Sequence, residues 1–265
     1  MPAHGGGARR ADLLSDEALR GLAGELREVE SVLFVTGAGI SADSGLPTYR
    51  GVGGLYDRGE TDEGLPIEAL LSGETFRSRP EWTWKYLLEI EASGREAQPN
   101  AAHRVIASLE QRIERVWTLT QNVDGLHAAA GSSNLIEIHG NLHGLRCTGC
   151  DWRRRVEDYS ALSLPPRCET CAAIIRPEVI LFGEMLPAGA LARLESELRR
   201  GFDLVVNVGT SALFPYILEP LYAAKARRKA TAEIDPGETV VSAMVDYRIR
   251  LGAADAFERL ESLLG

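Results

Sequence analysis

Short apolar runs alternate along the chain with longer stretches in which apolar residues recur at helical spacing. The runs predict strands at 31–36, 116–119, 135–138, 178–182, 204–208, 230–234 and 244–249. The helical stretches predict helices from an N-cap at Ser15, around 82–86, over 100–112 and 188–200, and up to Leu264. Strands that alternate with helices form parallel sheets. We therefore expect an α/β fold, a doubly wound parallel sheet with ligands at the carboxyl ends of its strands.

The first predicted strand ends in a glycine turn, Thr36-Gly37-Ala38-Gly39-Ile40-Ser41. Glycine lets a backbone approach a pyrophosphate closely, and the N–H groups at a helix start face an anion. The spacing departs from the dinucleotide fingerprint G-x-G-x-x-G, because Gly45 follows Gly39 by six residues. Taken alone, the turn fits phosphate binding and glycines needed for packing about equally well.

Two further segments contain candidate catalytic and binding residues. Residues 120–127 read TQNVDGLH after an apolar run, and residues 136–141 read IEIHGN, where alternation predicts a half-buried strand that ends at His139. With the first turn, they resemble the sirtuins, a family of NAD-dependent protein deacylases. The family motifs Gly-Ala-Gly-Ile-Ser, Thr-Gln-Asn-x-Asp, His-Gly and Phe-Gly-Glu occur in order, and the resemblance runs from about residue 30 to about residue 255.

The resemblance implies a Rossmann-like NAD-binding domain and a smaller inserted domain. The first would comprise residues 11–50, 99–140 and 178–265. The second would comprise residues 51–98, a helical part, and residues 141–177, a zinc ribbon. It also implies a role for each matched residue. The catalytic residues would be His139, as general base, and Asn122. The NAD contacts would be Gly37, Ala38, Gly39, Ile40, Ser41, Tyr49, Arg50, Gln121, Asn122, Asp124, Gly209, Thr210, Ser211 and Asp235. The substrate contacts would be Val179, Phe182, Gly183 and Glu184.

Structural interpretations stand beside these roles. A histidine at a strand end is often a satisfied structural residue, and Asn122 and Asp124 are residue types that form turns and caps. Ser211 could cap a helix, and Val179 could belong to a core strand. The family commonly has an asparagine where this chain has Asp235. A carboxylate there would accept both ribose hydroxyls and reject a 2′-phosphate, which favours NAD over NADP.

The four cysteines form two pairs, Cys147-x-x-Cys150 and Cys168-x-x-Cys171, with seventeen residues between them. This spacing is typical of a structural zinc ribbon, in which four thiolates close a tetrahedral site and leave no place for water. Two disulfides or four unrelated thiols are the alternatives. Disulfides fit an intracellular chain poorly. We therefore expect one structural zinc ion with no catalytic role.

The composition limits the classes of partner that the protein is expected to bind. The 265 residues carry a net charge of −9, which argues against general affinity for nucleic acid and mildly favours basic peptides. No apolar run approaches the length of a membrane span, and residues 1–10 lack the hydrophobic core of a signal peptide. We therefore expect a cytoplasmic protein that binds neither membranes nor nucleic acid.

The resemblance implies that the chain removes acyl groups from lysine side chains of proteins or peptides, giving nicotinamide and O-acyl-ADP-ribose. The subclass that prefers acidic acyl groups carries Tyr-x-x-Arg on a small-domain helix, whereas this chain reads Tyr86-x-x-Glu89. We therefore expect acetyl or another uncharged acyl group. Mono-ADP-ribosyl transfer or NAD hydrolysis in the same pocket is the first alternative, and a non-catalytic NAD- or protein-binding module is the second.

Overall fold

The computed structural model describes residues 6–47 and 61–265. Its strands are β1 (Ser31–Thr36), β2 (Arg115–Thr120), β3 (Leu135–Glu137), β4 (Gly140–Cys147), β5 (Arg153–Arg155), β6 (Ile175–Val179), β7 (Leu204–Val208), β8 (Ala230–Ile234) and β9 (Tyr247–Ile249). Its α-helices are α1 (Gly6–Glu28), α2 (Ile67–Leu70), α3 (Gly73–Ser78), α4 (Pro80–Gly94), α5 (Ala101–Leu109), α6 (Leu126–Ala129), α7 (Ala188–Arg200), α8 (Pro215–Ala226) and α9 (Ala253–Leu264). A 3-10 helix spans Ala38–Ser44.

Six strands form a parallel sheet in the order β3-β2-β1-β7-β8-β9. The chain moves outward from β1 through β2 and β3, then returns to place β7 on the other side of β1. The carboxyl ends of β1 and β7 therefore form the topological switch point, where sheets of this kind bind ligands. In register, Thr36 lies opposite both Thr120 and Val208, so the turns after these strands meet at one edge.

Strand β1 divides two hydrophobic cores, because successive side chains of a strand point to opposite faces. Val32 and Phe34 belong to the core that α1, α5 and α9 cover. Leu33 and Val35 belong to the core that α7 and α8 cover. All six residues of β1 are buried, as expected for a central strand of a sheet covered on both faces. The predicted doubly wound fold is confirmed.

A second, antiparallel sheet has the order β5-β4-β6 and packs with α2, α3 and α4 around a separate core. Trp84, on α4, is fully buried in this core, and its Nε1 donates a hydrogen bond of 3.0 Å to the Ile175 carbonyl of β6. The aromatic helix predicted around 82–86 is thereby attached to the segment that carries the cysteines. Among the described residues, none of the helices combines the length and hydrophobicity needed to cross a membrane.

Two predictions about elements are wrong. Helix α1 begins at Gly6, so Ser15 lies inside it; the Ser15 Oγ instead accepts a hydrogen bond from the Arg250 N–H. The strand predicted at 178–182 is β6, which ends at Val179 and pairs antiparallel with β4. An apolar run marks a buried strand but carries no information about which sheet that strand joins.

Candidate functional site

The turns after β1 and β7 pack directly against each other at the switch point. The Gly39 N–H donates to the Gly209 carbonyl at 2.9 Å, and the Gly37 N–H donates to the Val208 carbonyl at 3.2 Å. Gly209 has φ +57°, and a Cβ added to it would lie 2.3 Å from the Ile40 nitrogen. Its hydrogen atom is therefore required both by its left-handed backbone and by the contact between the turns. These glycines are therefore needed for packing, and the packing places both turns at the edge of the sheet where a ligand is expected.

A buried polar network lies beside the first turn. The Asn122 Nδ2 donates to the Gly37 carbonyl and to the Ser41 Oγ, both at 3.1 Å. The Ser41 Oγ in turn donates to the Asp124 Oδ2 at 2.7 Å. Burial raises the pKa of Asp124 despite hydrogen bonds from the Leu126 N–H and from Ser41. The network fixes an amide and a carboxyl group at the wall of the crevice, where they can bind a polar ligand.

The predicted turn-forming role of Asp124 is also present. Its Oδ1 accepts the Leu126 N–H at 2.9 Å, at the first residue of α6. Gln121 links the residues that follow β2 to those that follow β7, because its Nε2 donates to the Thr210 Oγ1 at 2.7 Å. Ser211 is exposed and lies four residues before α8, so it does not cap that helix.

His139 follows β3 and is half-buried. Its Nδ1 lies 3.0 Å from the Gln121 carbonyl, and its Nε2 lies 2.8 Å from the Tyr216 Oη. Burial lowers the pKa of His139, and the bond to the Gln121 carbonyl opposes this effect. A carbonyl can only accept, so Nδ1 carries the proton and the neutral ring has its lone pair on Nε2. That lone pair can accept a proton from a hydroxyl group.

Tyr216 is the residue of this site that sequence reasoning missed. It lies on the first turn of α8, seven residues after Gly209, and its ring stacks on Phe214 with centroids 5.4 Å apart. The rings of Phe214 and His139 also meet edge to face, with centroids 6.0 Å apart. Neither aromatic belongs to a motif. The one available signal was two aromatic residues close behind the second glycine turn.

A cavity of about 670 Å³ opens from the polar network toward the small sheet. Its wall includes Ser41, Asn122 and Asp124 of the network, and Arg155 and Glu157 at and just after β5. The cavity is therefore lined both by the polar network of the large sheet and by residues of the small sheet. Its volume is within the range of small-molecule sites.

The predicted substrate segment borders α2 and α3. The Phe182 N–H donates to the Leu71 carbonyl at 2.9 Å, and its carbonyl accepts the Gly73 N–H at 3.0 Å. Val179 is buried, whereas Phe182 is 37% exposed. The Glu184 carboxylate binds the buried Arg176 guanidinium through both oxygens, at 2.6 and 2.9 Å, and also accepts the Leu181 N–H. Glu184 thus holds the segment in place from within the chain.

Asp235 follows β8, on the far side of β7 from β1. Its Oδ1 accepts the Gly237 N–H at 2.8 Å, and burial raises its pKa. Asp235 therefore lies at the same edge of the sheet as the turns after β1 and β7. Tyr49 and Arg50, predicted to contact NAD, lie outside the described residues.

The four cysteine sulfurs converge. All lie within 4.8 Å of one another, and the Sγ atoms of Cys147 and Cys171 are 3.4 Å apart. This separation exceeds a disulfide bond of about 2.05 Å and is close to that of two sulfurs each about 2.3 Å from one zinc ion. The Gly149 N–H also points to the Cys147 Sγ at 3.3 Å, as expected of a thiolate ligand. The residues fit a tetrahedral zinc site.

A parallel sheet with paired glycine turns and a polar network at its switch point defines an α/β protein that binds a ligand at the carboxyl ends of its strands. Residues 37–214 match the model of the Sir2 family. The chain therefore belongs to the Sir2 family, and the resemblance to the sirtuins is confirmed.

Known proteins resemble this chain in both sequence and structure. The NAD-dependent protein deacylase 2 of Pseudomonas aeruginosa is 49% identical over 240 residues, which are 89% of this chain and 93% of that protein. A solved mutant Sir2 homologue in complex with ADP-ribose has a TM-score of 0.83 and 37% identity, covering 92% of this chain and 95% of that one. A Sir2 homologue in complex with NAD has a TM-score of 0.81 and 36% identity, covering 92% and 94%.

Proposed function

We propose that this protein is an NAD-dependent protein deacylase, which transfers an acyl group from lysine to ADP-ribose and releases nicotinamide. The observation that carries the proposal is the imidazole of His139, which is hydrogen-bonded to the Gln121 carbonyl just after β2 and so lies at the carboxyl edge of the parallel sheet with its lone pair on Nε2. The relative at 49% identity bears the name of that activity. The homologue solved with NAD shares the fold.

The chemistry divides between the bound NAD and the chain. NAD supplies an anomeric carbon with a positively charged leaving group, and the acyl oxygen of the substrate attacks that carbon as nicotinamide departs. His139 would then accept a proton at Nε2 from a ribose hydroxyl, whose oxygen closes on the acyl carbon. Addition of water to that carbon and cleavage of its bond to nitrogen would finally release free lysine and O-acyl-ADP-ribose. The neutral state of His139 at pH 7 follows from its lowered pKa.

The remaining site residues have proposed roles in binding. The network of Asn122, Ser41 and Asp124 would hold nicotinamide and its ribose, since an amide and a carboxyl group suit a carboxamide and hydroxyls. The paired glycine turns would hold the pyrophosphate through Gly37 and Gly209. Further NAD contacts would come from Ala38, Gly39, Ile40, Tyr49, Arg50, Gln121, Thr210, Ser211 and Asp235. The peptide would bind along Val179, Phe182 and Gly183 as an added strand, with Glu184 as its internal support.

We also propose that the acyl group is uncharged. The Tyr86 hydroxyl donates a hydrogen bond to the Glu63 carboxylate, so this hydroxyl is already bonded to a carboxylate of the chain. Lys85 beside it is held by Asp62 at 2.8 Å and by Glu63 at 2.9 Å. Glu89 is exposed and negative. An acidic acyl group would therefore meet carboxylates at this helix rather than a free cation.

Further proposals concern the setting of the site. The NAD-binding domain would comprise 11–50, 99–140 and 178–265, with the small domain at 51–98 and 141–177. The zinc ion would be structural, because four thiolates complete its coordination. We place the protein in the cytoplasm, where thiols stay reduced, and expect no membrane or nucleic-acid partner. The net charge of −9 supports the last point.

The test is mass spectrometry of acetyl-, butyryl-, myristoyl- and succinyl-lysine peptides incubated with the protein, with and without NAD. We expect NAD-dependent loss of uncharged acyl groups and an equal amount of O-acyl-ADP-ribose. His139→Ala should bind zinc and keep its fold but lose turnover by at least about 10²-fold, the contribution of a general base. Intact peptides with consumed NAD would contradict the proposal and favour ADP-ribosyl transfer or NAD hydrolysis.

A further inference from the structure

Tyr216 reaches the proposed base from an element outside every sequence motif. Its Oη lies 2.8 Å from the His139 Nε2. Helix α8 begins at Pro215, which fixes the backbone just before the tyrosine. Phe214 stacks on the tyrosine ring at an interplanar angle of 11°. The hydroxyl is therefore held at the imidazole by local backbone geometry and by packing.

The direction of this hydrogen bond follows from the opposite side of the ring. The Gln121 carbonyl requires a proton on Nδ1, so the neutral ring accepts at Nε2 and the tyrosine hydroxyl donates. Nε2 has a single in-plane lone pair. A tyrosine bonded to it and a substrate hydroxyl that gives it a proton therefore exclude each other. Within the described residues, no carboxylate or cation forms a hydrogen bond or ion pair with the imidazole.

We propose that Tyr216 is a positioning residue that occupies the Nε2 lone pair in the free protein and is displaced by the ribose hydroxyl of NAD. This inference rests on the proposed function, which makes that hydroxyl the proton donor. It has a direct consequence. NAD must break one hydrogen bond to reach His139, so removing the tyrosine hydroxyl should strengthen NAD binding, and it should do so only where His139 is present.

The first experiment is a double-mutant cycle on NAD affinity, measured by calorimetry for the wild type, Tyr216→Phe, His139→Ala and the double variant. Tyr216→Phe should tighten NAD binding roughly twofold to tenfold, the range of one hydrogen bond. In the His139→Ala background the same substitution should change the affinity less than about twofold. Tyr222→Phe is the matched control, because Tyr222 lies on the same helix and is 54% exposed. It should leave the affinity unchanged.

The second experiment detects the hydrogen bond between Tyr216 and His139 without any ligand. It uses nitrogen-15 NMR of labelled histidine over a range of pH. A donor on Nε2 stabilises the neutral ring, so Tyr216→Phe should raise the pKa of His139 by roughly 0.4 to 1. The Nδ1–H tautomer should persist, because the Gln121 carbonyl remains.

Two results would overturn the inference. One is weaker NAD binding in Tyr216→Phe, or an equal effect with and without His139. The other is a His139 resonance and pKa that the substitution does not move. Failure of the proposed function looks different: wild type and Tyr222→Phe would both fail to deacylate peptides, while the cycle and the NMR shift persist.

Discussion

His103 and His127 form a buried pair behind the site. Their rings meet edge to face with centroids 4.8 Å apart, and the His127 Nε2 lies 3.0 Å from the Thr36 Oγ1. Both nitrogens of His103 have no partner among the described residues. Burial lowers the pKa of His103 to about 4 and that of His127 to about 3. Both rings are therefore neutral near pH 7, and Thr36, at the end of β1, is bonded to one of them.

This pair makes stability depend on pH. In the unfolded chain both histidines take up protons below about pH 6.5, whereas in the folded chain they stay neutral until about pH 4 or lower. Their stabilising effect is thus complete above pH 6.5 and is lost as the pH falls toward 4. Each histidine accounts for about 2 kcal/mol of lost unfolding free energy between pH 7 and pH 5.

The substitution His103→Phe separates this effect from other titrations. A phenyl ring keeps the packing against His127 and removes two buried nitrogens that lack partners. We expect little change at pH 7 and a loss between pH 7 and pH 5 that is about 1 to 2 kcal/mol smaller than in the wild type. Urea unfolding at both pH values measures this. An identical loss in both proteins would show that His103 does not remain neutral when folded.

At the scale of elements, the two glycine turns act as one unit. Gly209→Ala would place a Cβ 2.4 Å from the Gly39 carbonyl carbon and 2.3 Å from the Ile40 nitrogen, and both are backbone atoms that cannot rotate away. We expect the turns to separate, with loss of more than about 2 kcal/mol of unfolding free energy and loss of NAD binding, measured by urea unfolding and calorimetry.

Gly131→Ala is the control for this prediction. Gly131 has φ +99°, also unfavourable for alanine, but a Cβ there would have nothing within 4 Å. It should cost only the backbone strain, about 1 to 2 kcal/mol, and leave NAD binding intact. If both variants bind NAD equally well, the contact between the turns does not shape the crevice.

Pattern and propensity predicted elements well where one signal dominated. The bounds of β1, β7, β8 and α7 agree with the prediction, because short buried strands rich in apolar residues and a regular amphipathic helix leave little choice. Helix α1 starts nine residues before Ser15, since a capping residue can equally lie inside a helix and bond elsewhere. The turn after β1 forms a 3-10 helix instead of an α-helix start.

At the scale of the whole molecule, the motifs predicted which loops meet, because parallel strands end at one edge. They did not predict Tyr216 or the pair of Glu184 and Arg176, since those contacts depend on how α8 and the small sheet are oriented. The roles of the site residues stay predictions until they are measured. The convergence of the cysteines is different: their spacing alone specified four ligands at one point.

The cysteine cluster is connected to the base through a short path. Strand β4 begins at Gly140, next to His139, and ends at Cys147. Strand β6 pairs with β4 up to Val179, and the following Ile180 N–H donates to the His139 carbonyl at 2.9 Å. The backbone of His139 is thus held by the sheet that the cysteines close. Loss of a metal bound by these cysteines should therefore affect the position of His139.

We therefore predict that Cys168→Ser, or removal of zinc by a chelator, loosens the small sheet and not the large one. Hydrogen exchange should accelerate over residues 140–179 and stay slow in β1 and β7, whose core is separate. Metal analysis should give one zinc per wild-type chain and a deficit in the variant. Arg154→Ala, an exposed change in the same sheet, should alter neither. Because the backbone of His139 is hydrogen-bonded to the loosened sheet, turnover should fall with the protection of residues 140–179. Full activity in the metal-free protein would mean that the large sheet alone positions the base.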